Sequence, residues 1–195
     1  MFEANGEIKC QAAIFIFHDG KKDKAWKLAI EIPHIRLEAH DDKNEFLTNL
    51  RKWNESIEDP YNAFLYIYSH MGGPGLSASG DSQKFISWSE LADALPRKVY
   101  VIWLAGCVSE SCIKTWKDNS RVIHYLVGTT DKKNFVKMVE FFGDDINMQH
   151  IIPFDEMINE MEEKNPELAK YINYYDASEG FKLAFFSKRK KEDED

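Results

Sequence analysis

Two apolar runs constrain what this chain can fold into more than any other feature. Residues 63–68 (AFLYIY) and 99–105 (VYVIWLA) each have the length and the share of aromatic and β-branched residues that are typical of a buried strand. The first run stops at the sequence SHMGG (69–73), and the second stops at Gly106-Cys107. Both patterns therefore predict buried strands whose carboxyl ends lead into polar or glycine-containing turns.

Amphipathic helices are predicted on either side of the first run. Residues 42–57 carry apolar side chains at helical spacing, and Asp41 or Asp42 can cap their start. Residues 87–95 form a shorter helix, because their Ser-x-x-Glu start matches a capping box and a proline follows. Between them, residues 73–85 are rich in Gly and Ser and are predicted to form a surface loop.

The rest of the chain continues the alternation of strands and helices. Further strands are predicted at 12–17, 26–35, 122–127 and 181–186, and further helices after Asp131 and Pro153, with a break at Pro166. Residues 26–35 alternate apolar with polar side chains, so we expect a hairpin with the strand at 12–17. The pattern predicts an α/β domain with a mostly parallel central sheet and helices on both faces.

The length of 195 residues fits one domain with a sizeable core. We expect that domain to span residues 1–187. The block KRKKEDED at 188–195 consists of like charges in two runs, and we expect it to remain solvated and disordered.

Charge and cysteine content narrow the class of protein. A net charge of -8 argues against sequence-independent binding to nucleic acid and favours basic peptides as electrostatic partners. No apolar stretch is long enough to cross a bilayer, and the polar N-terminus does not resemble a secretory signal. The 3 cysteines lack the spacing of a disulfide framework or of a zinc site. We therefore expect a reduced, cytoplasmic protein without a metal or other cofactor.

The two buried runs deliver one imidazole and one thiol, His70 and Cys107, to the carboxyl ends of strands. The intervening segment is long enough for a helical crossover between neighbouring parallel strands, and ligands of such sheets bind at this edge, near the point where strand order reverses. A histidine beside a thiol raises its thiolate fraction or removes its proton. We expect His70 to be the base and Cys107 the nucleophile, with the N–H groups of Gly72 and Cys107 forming an oxyanion hole.

Plainer interpretations of the same residues remain open. A cysteine at the end of a buried strand is usually a small apolar filler, and a lone histidine is usually structural. Asp19 and Asp81 are candidates for a pocket that takes a basic side chain, although solvated acids in turns are more common. A redox pair of Cys107 with Cys112 is a weaker hypothesis. No role is assigned to the histidines at positions 18, 34, 40, 124 and 150.

Three segments together resemble a known family. FLYIYSHMGGPGL, WSELADAL and VYVIWLAGCVSES are similar to the core of caspase-like cysteine peptidases, in particular the bacterial CHAT-domain and short prokaryotic caspase-homologue branch. The resemblance covers roughly residues 10–150 and implies a caspase-like fold and peptide-bond cleavage. It implies the same roles for His70, Cys107 and Gly72.

The sequence also departs from that family. Met71 stands between His70 and Gly72, and Ser109-Glu110 follows the cysteine where many relatives have Ser-Gly or Gly. The Gln-Ala-Cys-x-Gly signature of the animal caspases is absent, so specificity for aspartate does not follow.

The leading hypothesis is a regulated processing or effector endopeptidase that acts on a protein or peptide substrate, with control by an activating protein partner, by oligomerisation or by self-cleavage. The alternative is a catalytically inactive caspase-like binding or scaffold module. A cysteine phosphatase is disfavoured, because Ile113 occupies the place of the arginine that would hold phosphate.

Overall fold

The computed structural model describes residues 11–19, 36–79, 85–107, 109–116, 121–129, 163, 166–169, 172–177 and 183–185. Its strands are β1 (Gln11–Phe17), β2 (Arg36–His40), β3 (Ala63–Gly72), β4 (Gly75–Ser77), β5 (Phe85–Ser87), β6 (Val99–Ala105), β7 (Val122–Thr129), β8 (Ile172–Asp176) and β9 (Leu183–Phe185). Its helices are α1 (Lys43–Glu55), α2 (Trp88–Asp93), α3 (Glu110–Trp116) and α4 (Pro166–Ala169), with a 3₁₀ turn at Pro60–Asn62.

The strands form a central sheet in the order β2-β1-β3-β6-β7-β8-β9. The pairs from β2 to β7 are parallel, whereas β8 and β9 run antiparallel to their neighbours. The predicted α/β class and the mostly parallel sheet are therefore confirmed. The short strands β4 and β5 extend antiparallel from the end of β3.

Strand order reverses at β1. Strand β2 pairs with one side of β1 and β3 with the other, after which the chain proceeds outward through β6 and β7. The crevice at the carboxyl ends of β1 and β3 is the topological switch point of the sheet. We expected both His70 and Cys107 at this point. Strand β3 borders it, but β6, which leads to Cys107, lies one strand further along.

One face of the sheet packs against the helices. Register pairs align Ala13 with Leu65 and Phe15 with Ile67, and all four side chains are buried. Helix α1 covers them, and the ring of its Phe46 meets that of Phe15 edge to face with centroids 5.9 Å apart. Full burial of side chains of this size stabilises the fold by roughly 1.5–3 kcal/mol each.

The opposite face of the sheet is buried as well. Its side chains alternate with those of the helix-covered face, and seven of them are less than one-tenth exposed: Ile14, Ile16, Tyr68, Val101, Trp103, Ala105 and Val127. Burial on both faces explains why these strands are near-continuous apolar runs instead of alternating ones.

The predicted helix starts are confirmed in detail. The Asp42 carboxylate accepts a hydrogen bond from the N–H of Glu45 at 2.9 Å and caps α1. Helix α2 has a complete capping box, in which Ser87 and Glu90 each accept from the other's backbone N–H. Glu90 also accepts a hydrogen bond from Lys43 Nζ at 2.6 Å, which joins α2 to the first turn of α1.

The structure corrects three predictions from local pattern. Strand β3 continues four residues past the apolar run to Gly72, because it turns back at Gly73-Pro74 to pair with β4. The region 73–85 accordingly contains β4 and the start of β5, where a loop was expected. Strands β2 and β8 were not predicted, the latter because its first residue was assigned to a helix.

The remaining predictions are either confirmed or lie outside the described residues. The strands at 12–17, 63–68, 99–105, 122–127 and 181–186 are confirmed with small shifts of boundary, and Pro166 begins α4. The expected strand at 26–35 and its hairpin, the bulk of the helices after Asp131 and Pro153, and the tail at 188–195 lie outside the described residues. Within the described part of the chain, no helix has the length and hydropathy needed to span a membrane.

Candidate active site

The adjacent parallel strands β3 and β6 lead to His70 and Cys107. Tyr68 of β3 pairs with Ala105 of β6, and His70 and Cys107 each follow two residues later. Neighbouring strands are about 4.8 Å apart, and beyond this pair β3 continues to Gly72, whereas the chain after β6 turns at Gly106 and Cys107. His70 is exposed and Cys107 is half-buried, which leaves both within reach of solvent. The two strands are neighbours, as expected, but His70 lies within β3, which continues to Gly72, and Cys107 follows the end of β6. The pairing of His70 with Cys107 as base and nucleophile remains a prediction.

A second imidazole, which sequence reasoning did not assign, lies against His70. Ile16 of β1 pairs with Tyr68 of β3, and His18 follows Ile16 at the same two-residue distance. The rings of His18 and His70 have centroids 4.6 Å apart and planes inclined by 33°. The His18 ring is also 5.9 Å from that of Tyr68, and its side chain is 12% exposed. His18 therefore packs against two side chains of β3, His70 and Tyr68.

Only the pairing of β1 with β3 reveals this neighbour. His18 follows an apolar run, as His70 does, but the adjacent Asp19-Gly20 indicated only a simple turn, so no role was predicted for His18. The shared pattern of a strand followed by histidine was the available clue.

Asp19 lies at the same edge of the sheet. Its backbone N–H donates to the carbonyl of Ala78 at 3.0 Å, which attaches the end of β1 to the segment after β4. Its carboxylate Oδ1 is 3.6 Å from His18 Nδ1 and its side chain is 45% exposed. Asp19 is therefore a partly exposed acid beside His18, and its role in a pocket for a basic side chain remains a prediction. Asp81, the other predicted pocket residue, lies outside the described residues.

Met71 does not separate the candidate base from the glycine turn. Side chains alternate along β3, so Met71 is buried on the helix-covered side while His70 is exposed. A Cβ added at Gly106 would lie 2.6 Å from Met71 Sδ and 2.6 Å from the carbonyl oxygen of Ser69. Met71 thus packs against Gly106. Because Gly106 has no side chain, the turn before Cys107 can approach β3.

Buried hydroxyl groups hold the backbone around both candidate residues. Ser69 Oγ lies 3.0 Å from the carbonyl oxygen of His70 and 3.1 Å from that of Ser77, to which it can donate. Ser109 Oγ donates to the Leu104 carbonyl at 2.9 Å, which closes the turn that contains Cys107. Ser109 was noted from the sequence as a departure from the family, and the structure gives it a local structural role.

Gly72 belongs to β3 and not to a free loop. It pairs with Gly75 across the hairpin, and its carbonyl oxygen accepts a hydrogen bond from Ser111 Oγ at 3.3 Å. The carbonyl oxygen of Gly73 accepts from Trp88 Nε1 at 2.7 Å. These bonds engage the carbonyl side of the glycine turn and anchor it to α2 and α3. The oxyanion role of Gly72 remains a prediction.

Cys112 has a different environment from Cys107. Its side chain lies on α3 and is fully buried in the hydrophobic core, and this burial raises the pKa of its thiol well above the ordinary value. A thiol with a raised pKa is a weak nucleophile and a poor redox partner. Cys112 is a core residue, and the structure does not favour the redox pair with Cys107.

His40 lies at the end of β2 in a polar cluster. Its Nε2 is 3.2 Å from Glu38 Oε2 and 3.3 Å from Asn49 Nδ2, and its backbone carbonyl accepts from the N–H of His18 at 3.1 Å. These contacts connect β2 to α1 and to β1. Among the described residues, no group of three or more His, Cys, Asp or Glu side chains is arranged to hold a metal ion.

Neither a protein-family profile nor a curated protein matches this sequence. Chains of solved structures do match, among them a secreted C11 cysteine protease from Bacteroides thetaiotaomicron in complex with an irreversible peptide inhibitor. The two chains share 11% identity, with a TM-score of 0.48 over 87% of this chain and 67% of that protease.

Proposed function

We propose that this chain is a caspase-like cysteine endopeptidase in which His70 is the general base and Cys107 the nucleophile. The observation that carries the proposal is that β3 and β6 are adjacent parallel strands whose last register pair, Tyr68 with Ala105, lies two residues before His70 and Cys107. Cys107 is half-buried whereas Cys112 is fully buried, and this difference supports Cys107 as the nucleophile.

The proposed reaction proceeds in two balanced steps. The Cys107 sulfur attacks the peptide carbonyl carbon as His70 takes the thiol proton, and the His70 proton then passes to the leaving amine. Water, deprotonated by His70, attacks the resulting thioester and releases the acid and the thiol. The N–H groups of Cys107 and Gly72 are the proposed donors to the oxyanion, where the loss of one donor typically costs about 100-fold in rate.

The proposed substrate is a peptide or protein with a basic side chain next to the cleaved bond. The exposed carboxylate of Asp19 beside the histidine pair supports this preference, with Asp81 as a second proposed acid. We propose a reducing, cytoplasmic setting, because the 3 cysteines lack the spacing of a disulfide framework. An activating protein partner is part of the proposal.

Labelling of the thiol tests the function directly. Wild type, Cys107→Ala and His70→Ala are treated with an iodoacetamide probe and with peptidyl chloromethyl ketones that end in Arg, Lys or Asp. Peptidyl labelling that is fast in wild type, prefers Arg or Lys, and is lost in both variants supports the peptidase. Thr115→Ala, which removes an exposed hydroxyl from α3, is the matched control and should label as wild type does.

The same experiment identifies the alternative. Slow labelling that is insensitive to both His70 and the peptide portion would contradict the proposal for the isolated chain and favour a binding or scaffold module.

A further inference from the structure

Two segments carry the candidate residues: the end of β3 with the glycine turn after His70, and the turn of Cys107 with helix α3. These segments, here called the two arms, are joined by the side chains of Trp88 and Ser111, here called the Trp88–Ser111 bridge. Trp88 Nε1 donates to the Gly73 carbonyl at 2.7 Å and to Ser111 Oγ at 3.2 Å. Ser111 Oγ in turn donates to the Gly72 carbonyl at 3.3 Å. The bridge therefore binds the turn that follows His70 to the helix that follows Cys107.

Further hydrogen bonds hold Trp88 in place. Trp88 is 2% exposed, and its backbone carbonyl accepts a hydrogen bond from Trp116 Nε1 at 2.9 Å. Its backbone N–H donates to the Pro74 carbonyl at 3.3 Å. Trp116 is buried at the end of α3, so both ends of that helix contact Trp88. This arrangement fixes the indole against the glycine turn and against α3 at once.

The Trp88–Ser111 bridge lies beyond the paired part of β3 and β6. The parallel pairing of β3 with β6 ends at Tyr68 and Ala105, two residues before each candidate residue. Beyond that pair, β3 pairs with β4, and the chain after β6 turns into α3. The contact of Gly106 with Met71 limits how closely the arms approach, while the bridge resists their separation.

We propose that Ser111 and Trp88 are positioning residues that set the relation of His70 to Cys107. The proposal deepens the proposed function and rests on it for its catalytic consequence. A displacement of about 1 Å between reacting groups can cost on the order of 100-fold in rate. Neither side chain touches a substrate in this scheme, since both act through the backbone of the glycine turn and through α3.

The geometric part is tested without any catalysis. In a His70→Cys variant, dibromobimane forms a fluorescent cross-link when two thiols lie close together, here with Cys107. We expect Ser111→Ala in that background to slow cross-linking about fivefold or more, because the arms then separate more freely. Thr115→Ala removes another hydroxyl from the same helix, which donates to the Ser111 carbonyl, and should leave the rate unchanged.

The catalytic part is tested by a double-mutant cycle. Ser111→Ala should lower the rate of iodoacetamide labelling at Cys107 about tenfold in wild type and leave the slower residual rate nearly unchanged in the His70→Ala background. Trp88→Phe, which keeps a buried ring but removes the donor, should act in the same direction. Thermal unfolding and circular dichroism are used to check that Ser111→Ala retains the fold.

Two results would overturn the inference. Equal cross-linking rates with and without Ser111→Ala would show that the bridge does not set the distance between the arms. An equal loss of labelling in the wild-type and His70→Ala backgrounds would show that Ser111 acts on Cys107 alone. If wild type shows no His70-dependent labelling, the proposed function fails, and the cross-linking experiment still decides the role of the bridge.

Discussion

His18 and His70 stack at the carboxyl edge of the sheet, with ring centroids 4.6 Å apart and ring planes inclined by 33°. The two residues are 52 positions apart in sequence, and the pairing of β1 with β3 brings them to the same level. In the proposed mechanism the exposed His70 imidazole faces Cys107, and His18 supplies a packed surface beside it. A ring at position 18 is therefore expected to matter even though it does not contact the thiol in this scheme.

Loss of the His18 ring should weaken the dependence of Cys107 on His70. We expect His18→Ala to lower the rate of peptidyl labelling about three- to tenfold, because His70 then loses the packed surface that orients it. His18→Phe retains a flat ring and should recover most of the rate. Labelling kinetics for the two variants decide this, and an equal loss in both would contradict a role for stacking.

A methyl group at Gly106 should disturb the site and the fold together. The Cβ of Gly106→Ala would lie 2.6 Å from the Ser69 carbonyl oxygen, which is backbone and cannot move cheaply. We expect a loss of about 1–3 kcal/mol in the free energy of unfolding and a large drop in labelling of Cys107. Gly73→Ala is the matched control, since nothing lies within 4 Å of a Cβ at that position. Comparable urea midpoints for the two variants would show this interpretation to be wrong.

Asn54 should contribute to stability without affecting the site. Its buried amide donates to the Arg97 carbonyl and accepts from the Arg97 N–H, both at 2.9 Å, and thereby attaches the end of α1 to the segment before β6. Asn54→Ala removes both hydrogen bonds to the Arg97 backbone, so we expect a loss of about 2 kcal/mol in the free energy of unfolding. Asn44→Ala, at an exposed position of α1, should change little. Chemical denaturation of both variants provides the measurement.

The Lys43–Glu90 contact should make stability depend on pH in the acid range. The hydrogen bond from Lys43, followed by that from the Ser87 backbone, lowers the pKa of Glu90 below its ordinary value. Since the pKa is lower in the folded state, the contribution is present above the unfolded value and is lost as pH falls through the folded value.

Glu90→Gln is therefore expected to reduce stability at pH 7 and to match wild type more closely at about pH 3. Both side chains are a third or more exposed, so solvent screening limits the ion-pair contribution to less than about 1 kcal/mol. Urea unfolding at the two pH values measures it. A difference between the proteins that does not shrink in acid would argue against this contact as its source.

Local sequence determined the elements on which the site is built. Strands β3 and β6 follow from apolar runs that suit burial on two faces, and the start of α2 follows from Ser87 and Glu90. The same runs place His70 and Cys107 just past strand ends. Such features depend on neighbours within a few residues, so a single chain segment contains the information.

Only the tertiary structure decided which strand ends meet. It placed the ring of His18 against that of His70, packed the buried Met71 against Gly106, and turned the glycine-rich segment back as β4. From the sequence, His18 had no assigned role and Met71 was expected to intrude between His70 and Gly72. Strand partners and register depend on contacts between residues tens of positions apart, and a period-two pattern is compatible with many of them. The sequence therefore determined the strands and their terminal side chains, and long-range pairing decided the constellation they form.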